Sequence, residues 1–313
     1  MNVLRTSLLI AIFIIAPVWR CWGQTGDAAA SPEEPPPPAR QEVTTAEVKR
    51  FLDPTIMVNR IRYRFQANFL LRDVELFTHR IRPVFAFTHW TAVWADIPIR
   101  HYSLPGGDDP AGIGDVSFGW GVVTHENLRS RFTSSALIFE VLTPTGDPSE
   151  GTGFGTTVLS PGGGIALNPS KYFPIYITAR YLHSLEELRG PTSEELLRGN
   201  PNLKVRSIEL NLESFHILPK GFFLAVLPSV TFNFNQDFNF FTLGLGVGRA
   251  LTKRFAIQGG YVNYVAGERT FNRAITIGFS YIFGAEKVKQ ERSELRKTAA
   301  LLSQPTKEWK WRE

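Results

Sequence analysis

The chain has 313 residues, with 34 Lys and Arg against 29 Asp and Glu, a net charge of +5 and a single cysteine. The arginines alternate with apolar residues instead of forming a basic face with a nucleic-acid motif, so composition argues against nucleic acid as a partner. One cysteine, Cys21, allows no internal disulfide framework, and stability has to come from elsewhere.

In chain order, Arg5 precedes the apolar run LLIAIFIIAPVW (8–19) and then CWGQ, with Cys21 and Gly23 spaced as a signal peptidase requires. Residues 1–23 therefore read as a secretory signal peptide, since the run is shorter than the ~20 residues of a membrane-spanning helix. Arg20 stands where a lipoprotein signal needs a small residue, which argues against lipidation of Cys21. Residues 24–54 contain TGDAAASPEEPPPPARQE (25–42), too rich in Pro, Ala and Glu to bury a core, and read as an extended, disordered leader. Composition then turns to Phe, Gly, Leu, Ile and Arg, which sets one domain over 55–284. Residues 285–313 read as a charged, partly helical periplasmic tail carrying Trp309 and Trp311, with docking to a partner as the sharper alternative.

The domain has no long 3.6-residue period, whereas two-residue alternation recurs throughout. Twelve strands are predicted, at 60–71, 80–88, 91–102, 113–124, 131–142, 157–167, 173–183, 205–216, 222–233, 241–250, 255–265 and 272–283. Most are longer than the five or six residues typical of soluble sheets, and match the nine to eleven tilted residues that cross a bilayer's hydrocarbon. Connections alternate between long ones, such as TPTGDPSEGTGFGT and SLEELRGPTSEELLRGNPNLK, and short ones, such as NPSKY and LTKR. That alternation and the even strand number predict a transmembrane antiparallel up-and-down β-barrel in a bacterial outer membrane.

The stretch NRIRYRFQANFL (59–70) shows how the faces divide. Arg60, Arg62 and Arg64 fall on one side and Ile61, Tyr63 and Phe65 on the other. An Arg facing lipid at the bilayer midplane costs ~2–4 kcal/mol, so the arginines must face the lumen. The same register assigns Arg80, Arg82, Asp96, Arg100, Arg180, Glu209 and Glu213 to the lumen, with Gly244, Gly246, Gly248 and Ser280 leaving room among them. Two roles stay open for these charges: a focused positive field that attracts anions and polar solutes, or structural ion pairs that plug the bore.

The last strand, with Thr276, Gly278, Tyr281 and Phe283 in TIGFSYIF, resembles the insertion signal read by the bacterial outer-membrane assembly machinery. GIGDVSFGW, with Gly112, Gly114 and Asp115, and LTPTGDPSEGTGFG, with Pro144, Thr145, Gly146 and Asp147, resemble signatures of a further family. That family comprises bacterial outer-membrane barrels assigned to transport or to the meta-pathway of phenol degradation. The resemblance covers roughly residues 56–284 and implies a Gram-negative outer-membrane porin for small solutes, aromatic or other hydrophobic compounds among them. It brings no catalytic residues. For Asp115 and Asp147, at strand ends, the physical role is turn capping and loop ordering.

Enzymatic function lacks a candidate constellation. The histidines at 79, 89, 101, 125, 183 and 216 are scattered, and neither Gly-x-Ser-x-Gly nor His-Glu-x-x-His occurs. A hydrolase and a closed scaffold presenting the acidic loop 184–204 are the rivals to a channel. No cofactor or metal is implied, and no pattern sets an oligomeric state. The expected partners are outer-membrane lipid, a small-molecule solute and, during biogenesis, the assembly machinery.

Overall fold

The computed structural model describes residues 43–70, 73–107, 109–127, 130–187, 205–234, 239–267 and 271–284. The signal peptide expected at 1–23, the leader up to residue 42, most of the acidic loop and the tail expected at 285–313 lie outside the described residues. A short helix, α1 (Thr45–Leu52), precedes the strands. They are β1 (Arg60–Leu70), β2 (Glu75–Ala86), β3 (Thr91–Ser103), β4 (Ala111–Ile113), β5 (Ser117–Glu126), β6 (Phe132–Leu142) and β7 (Val158–Ser170). The rest are β8 (Phe173–Ser184), β9 (Arg206–Ile217), β10 (Phe222–Asn233), β11 (Phe240–Ala250), β12 (Phe255–Gly267) and β13 (Phe271–Ile282).

Every strand pairs antiparallel with its neighbours, and β1 pairs with both β2 and β13, so the sheet closes on itself. Closure leaves no edge of unpaired backbone groups, which hydrocarbon could not satisfy. β4 and β5 lie in succession along one edge of β3, with Arg100 opposite Gly112 and Asp96 opposite Ser117. The wall is thus twelve strands around, and β4 is an extra piece split from β5 at residues 114–116. The single strand expected at 113–124 is interrupted there, and a loop described below occupies the break.

Two-residue alternation decides which residues meet. Tyr63 stands opposite Phe279, their rings 5.1 Å apart, while Arg64 on the other face stands opposite Gly278. The apolar register is open to the surroundings: Leu137 is 60% exposed, Ile277 55% and Leu245 54%. Such a continuous apolar belt around a closed barrel is a lipid-facing surface.

Two expectations are corrected. β2 starts at Glu75, not at residue 80, because Phe77 and Thr78 continue the alternation and pair with β1. The connection 71–74 is correspondingly short, and the length alternation is carried by 104–110, 143–157 and 185–205. The second correction concerns the leader. Its last part, assigned to a disordered segment running to residue 54, forms α1. Thr44 and Glu47 close a capping box, and Val48, Phe51 and Leu52 make one buried face.

α1 also fixes which barrel face is interior. Those three side chains cluster with Ala166, Tyr176, Phe215, Phe223 and Ile282, drawn from strands between β7 and β13, all in the register opposite to the exposed apolar one. The helix therefore sits inside the barrel, at the end with short turns.

Candidate functional site

The interior is built in three levels. At the short-turn end, residues 43–58 form a plug. α1 covers the β7–β13 side, and Met57 covers the other with Val84, Ala92, Val123 and Ala136. Polar ties hold it: Lys49 Nζ donates to Asn168 Oδ1 at 2.7 Å, and Lys253 Nζ lies 3.4 Å from Glu47 Oε1. Asp53 Oδ1 accepts from the Thr55 backbone N–H at 2.8 Å, and the Thr55 and Ser134 hydroxyls are 2.5 Å apart. Burial raises the Glu47 carboxyl pKa, but hydrogen bonds from Thr44 and the nearby Lys253 outweigh it and leave the group below its ordinary value.

Above the plug runs a belt of alternating charge. Asp96 on β3 lies 3.4 Å from Arg80 Nε and 2.9 Å from Arg82 Nη2. Arg82 Nη2 reaches Glu140 Oε2 at 3.1 Å. Arg180 Nη1 stands 3.9 Å from Glu140, and its Nη2 is 3.9 Å from Glu209. The chain Arg80–Asp96–Arg82–Glu140–Arg180–Glu209 so lines the bore from β2 to β9. Glu140 is its hub, accepting also from Trp94 Nε1 at 2.9 Å and from Ser117 Oγ at 3.0 Å. Gly119 makes the Trp94 position possible, since a Cβ there would sit 2.0 Å from the indole.

β1 is different. Arg62 Nη2 donates to the Phe51 carbonyl at the end of α1, 3.2 Å away. Arg60 is 5% exposed and leaves Nε and Nη1 without a partner. Arg64 is exposed although it lies on the inner face, and among the described residues it forms no ion pair. Glu213 acts on Arg62 and Arg64 electrostatically from β9.

The third level is a loop folded into the opposite mouth. Asp115, 1% exposed, accepts from Gly146 N through Oδ1 at 2.9 Å and from Phe154 N through Oδ2 at 2.6 Å. Thr145 Oγ1 accepts from Val116 N at 2.8 Å and donates to the Gly114 carbonyl at 3.1 Å. Gly146 and Gly153 touch, and a Cβ on either would lie within 2.8 Å of the other's backbone. From the wall, Arg100 Nη1 donates to the Thr152 carbonyl and the Tyr102 hydroxyl to the Gly151 carbonyl, each at 3.0 Å. Thr152 also lies 3.5 Å from the place of a Cβ on Gly112. The two Gly-Asp segments are thus halves of one lock that draws residues 143–157 over the inner face of β3 and β4. Asp147, by contrast, is exposed and caps its own turn by accepting from Ser149 N at 2.8 Å. Pro144 is exposed beside it.

The strand-terminal residues divide by face. Thr276 and Gly278 lie on the inner register, Tyr281 is 42% exposed on the outer, and the Phe283 ring meets Phe85 at 6.2 Å near the short-turn rim. The Ser214 hydroxyl donates to the Val226 carbonyl at 3.2 Å, and the His216 ring lies 6.5 Å from that of Phe173.

Sequence reasoning missed α1, Trp94, Ser117 and Thr152. The helix had a signal in TTAEVKRFL, where Thr44 and Glu47 have capping-box spacing. Trp94 stands in the polar register of its strand, where an indole needs a hydrogen-bond acceptor. Ser117 and Thr152 carry no local signal.

No protein-family model matches the chain, and no curated protein does. Among solved structures, the fold is shared with the COG4313 outer membrane channel from Pseudomonas putida F1. That match has 11% identity and a TM-score of 0.57 over 72% of this chain and 94% of that one. Looser matches are the KdgM porin in complex with disordered oligogalacturonate (10% identity, TM-score 0.48, 72% of this chain and 99% of that one) and the NanC porin (9%, 0.47, 71% and 98%). At these identities the likeness is one of fold.

Proposed function

We propose that this chain is an outer-membrane channel for small solutes, exported by its 1–23 signal, with an Arg-lined aqueous bore. Its short-turn end faces the periplasm, and residues 43–58 are its gate. One observation carries the reading. Inside a closed wall whose outer face is apolar, Arg64 is exposed and the Arg80 side chain retains 43% exposure. Guanidiniums open to water in a barrel interior line an aqueous space, and such a space through a lipid-facing cylinder is a path. The aromatic or other hydrophobic compounds implied by the family resemblance are passengers of the same path.

A second reading has its own support, because the plug covers both sides of the short-turn end. On that reading the barrel is a closed scaffold. Planar-bilayer recordings of the refolded chain and of Val48→Asp separate the two. Val48 is 0% exposed in the plug core, and a carboxylate there destabilises docking. Discrete conductance steps that become more frequent in V48D support the gated channel. Silence from both proteins supports the scaffold.

A further inference from the structure

The belt from Arg80 to Glu209 neutralises itself, but β1 does not take part in it. Its three guanidiniums, Arg60, Arg62 and Arg64, point to the same side two residues apart, a spacing of ~6.6–6.8 Å. Arg82 and Arg80 stand directly opposite Arg62 and Arg64 on β2, which makes a cationic patch on adjacent strands. Asp96 and Glu140 are already taken by Arg80, Arg82 and Arg180, and Glu213 faces Arg62 and Arg64 from β9 without an ion pair to either among the described residues.

Among the described residues, the buried atoms here without a hydrogen-bond partner are mainly donors, the exception being Asp96 Oδ1, which lies 3.4 Å from Arg80 Nε. Arg60 leaves Nε and Nη1 without partners, Arg82 leaves Nε, and Ser280, opposite Arg62 across β1 and β13, leaves its hydroxyl. A buried donor without an acceptor costs about 1–3 kcal/mol, so an acceptor-rich anion gains by entering. The wall beside the patch leaves room for the rest of such a molecule. Gly278 faces Arg64, and Gly260 and Gly246 follow on the next strands in the row of Thr276.

We infer that Arg64, supported by Arg60, Arg62 and Ser280, forms a binding site inside the barrel for small organic carboxylates. The free Arg64 fork takes the carboxylate, and the body of the acid lies along the glycine wall of β11–β13. A planar guanidinium matches the two oxygens of a carboxylate in a bidentate pair, which gives the site orientation as well as charge. The inference rests on the water-filled bore proposed above but not on whether the plug opens.

The test is calorimetric titration of the full refolded chain in detergent at low ionic strength. The probe is benzoate, with benzyl alcohol as its neutral counterpart and inorganic phosphate as a non-planar anion. Saturable benzoate binding, absent for benzyl alcohol and weaker for phosphate, is expected. Arg64→Gln should weaken it at least tenfold, and Arg64→Lys by less. Ser280→Ala should also weaken it and serves if the Arg64 variants do not refold, as judged by heat-modifiable migration. Arg249→Gln is the control, since that guanidinium lies 4.6 Å from the Phe222 ring on the outer face. Unaltered affinity in R64Q and S280A overturns the site, as does equal weakening in R249Q or phosphate binding as tight as benzoate. A barrel silent in bilayers that still binds benzoate through Arg64 would refute the channel and keep the site. A conducting barrel without Arg64-dependent binding would do the reverse.

Discussion

If residues 43–58 are a docked gate, Phe51→Ala should undock it without unfolding the wall. Phe51 is 6% exposed and its ring belongs to the cluster that joins α1 to Tyr176, Phe215 and Phe223. Truncating a buried Phe to Ala costs about 3–5 kcal/mol. The helix makes no backbone ladder with any strand, so the loss falls on the docking equilibrium and not on barrel closure. At about 1.4 kcal/mol per tenfold, the undocked fraction should rise by roughly two to three and a half decades. Lys49 and Arg50 lie within α1, so undocking presents them to trypsin. When reclosing is fast relative to cleavage, the cutting rate follows the open population. The assay is the rate of cleavage at Lys49 and Arg50 in refolded wild type and F51A, with heat-modifiable migration followed in parallel. A rate raised about a hundredfold or more, at unchanged folded migration, is the expected result. An unchanged rate, or cleavage that rises only as the folded band is lost, would refute the idea that α1 docks as a separable element.

Three further outcomes are expected. Asp115→Ala removes the acceptor for two backbone N–H groups of the folded-in loop; leaving them unpaired should cost about 1–3 kcal/mol each, seen as faster hydrogen exchange at Gly146 and Phe154 with the barrel intact. Gly119→Ala places a methyl against the Trp94 indole, which should break the Trp94–Glu140 bond and lower thermal stability by about 1–3 kcal/mol, with a change in tryptophan fluorescence. The Glu47 carboxyl has a lower pKa in the folded chain than its ordinary value. Its stabilisation is therefore complete at neutral pH and lost as pH falls from about 4 through the folded value. Exchange of the α1 amides should accelerate in that window, and Glu47→Gln should remove this acid-induced acceleration while leaving the helix loosened at neutral pH.

The barrel wall was legible from residue order. A side-chain period of two is a property of extended backbone, and wherever one face must avoid water and the other must avoid lipid, a slip of one residue is prohibitive. Arg60, Arg62 and Arg64 were therefore assignable to one face, and Ile61, Tyr63 and Phe65 to the other, before any coordinates. Which interior residues meet is visible only in the folded chain, because these contacts join residues with no local relation. Arg82 and Glu140 lie 58 positions apart, and Lys49 and Asn168 lie 119 apart. Composition near the leader pointed to disorder, yet α1 is held by barrel walls that its own sequence cannot report, and an eight-residue helix is too short to be stable without them. The two Gly-Asp segments were legible as motifs, but their meeting at the Asp115 carboxylate depends on β4 parting from β5. That break is set by the loop that fills it and not by the residues on either side.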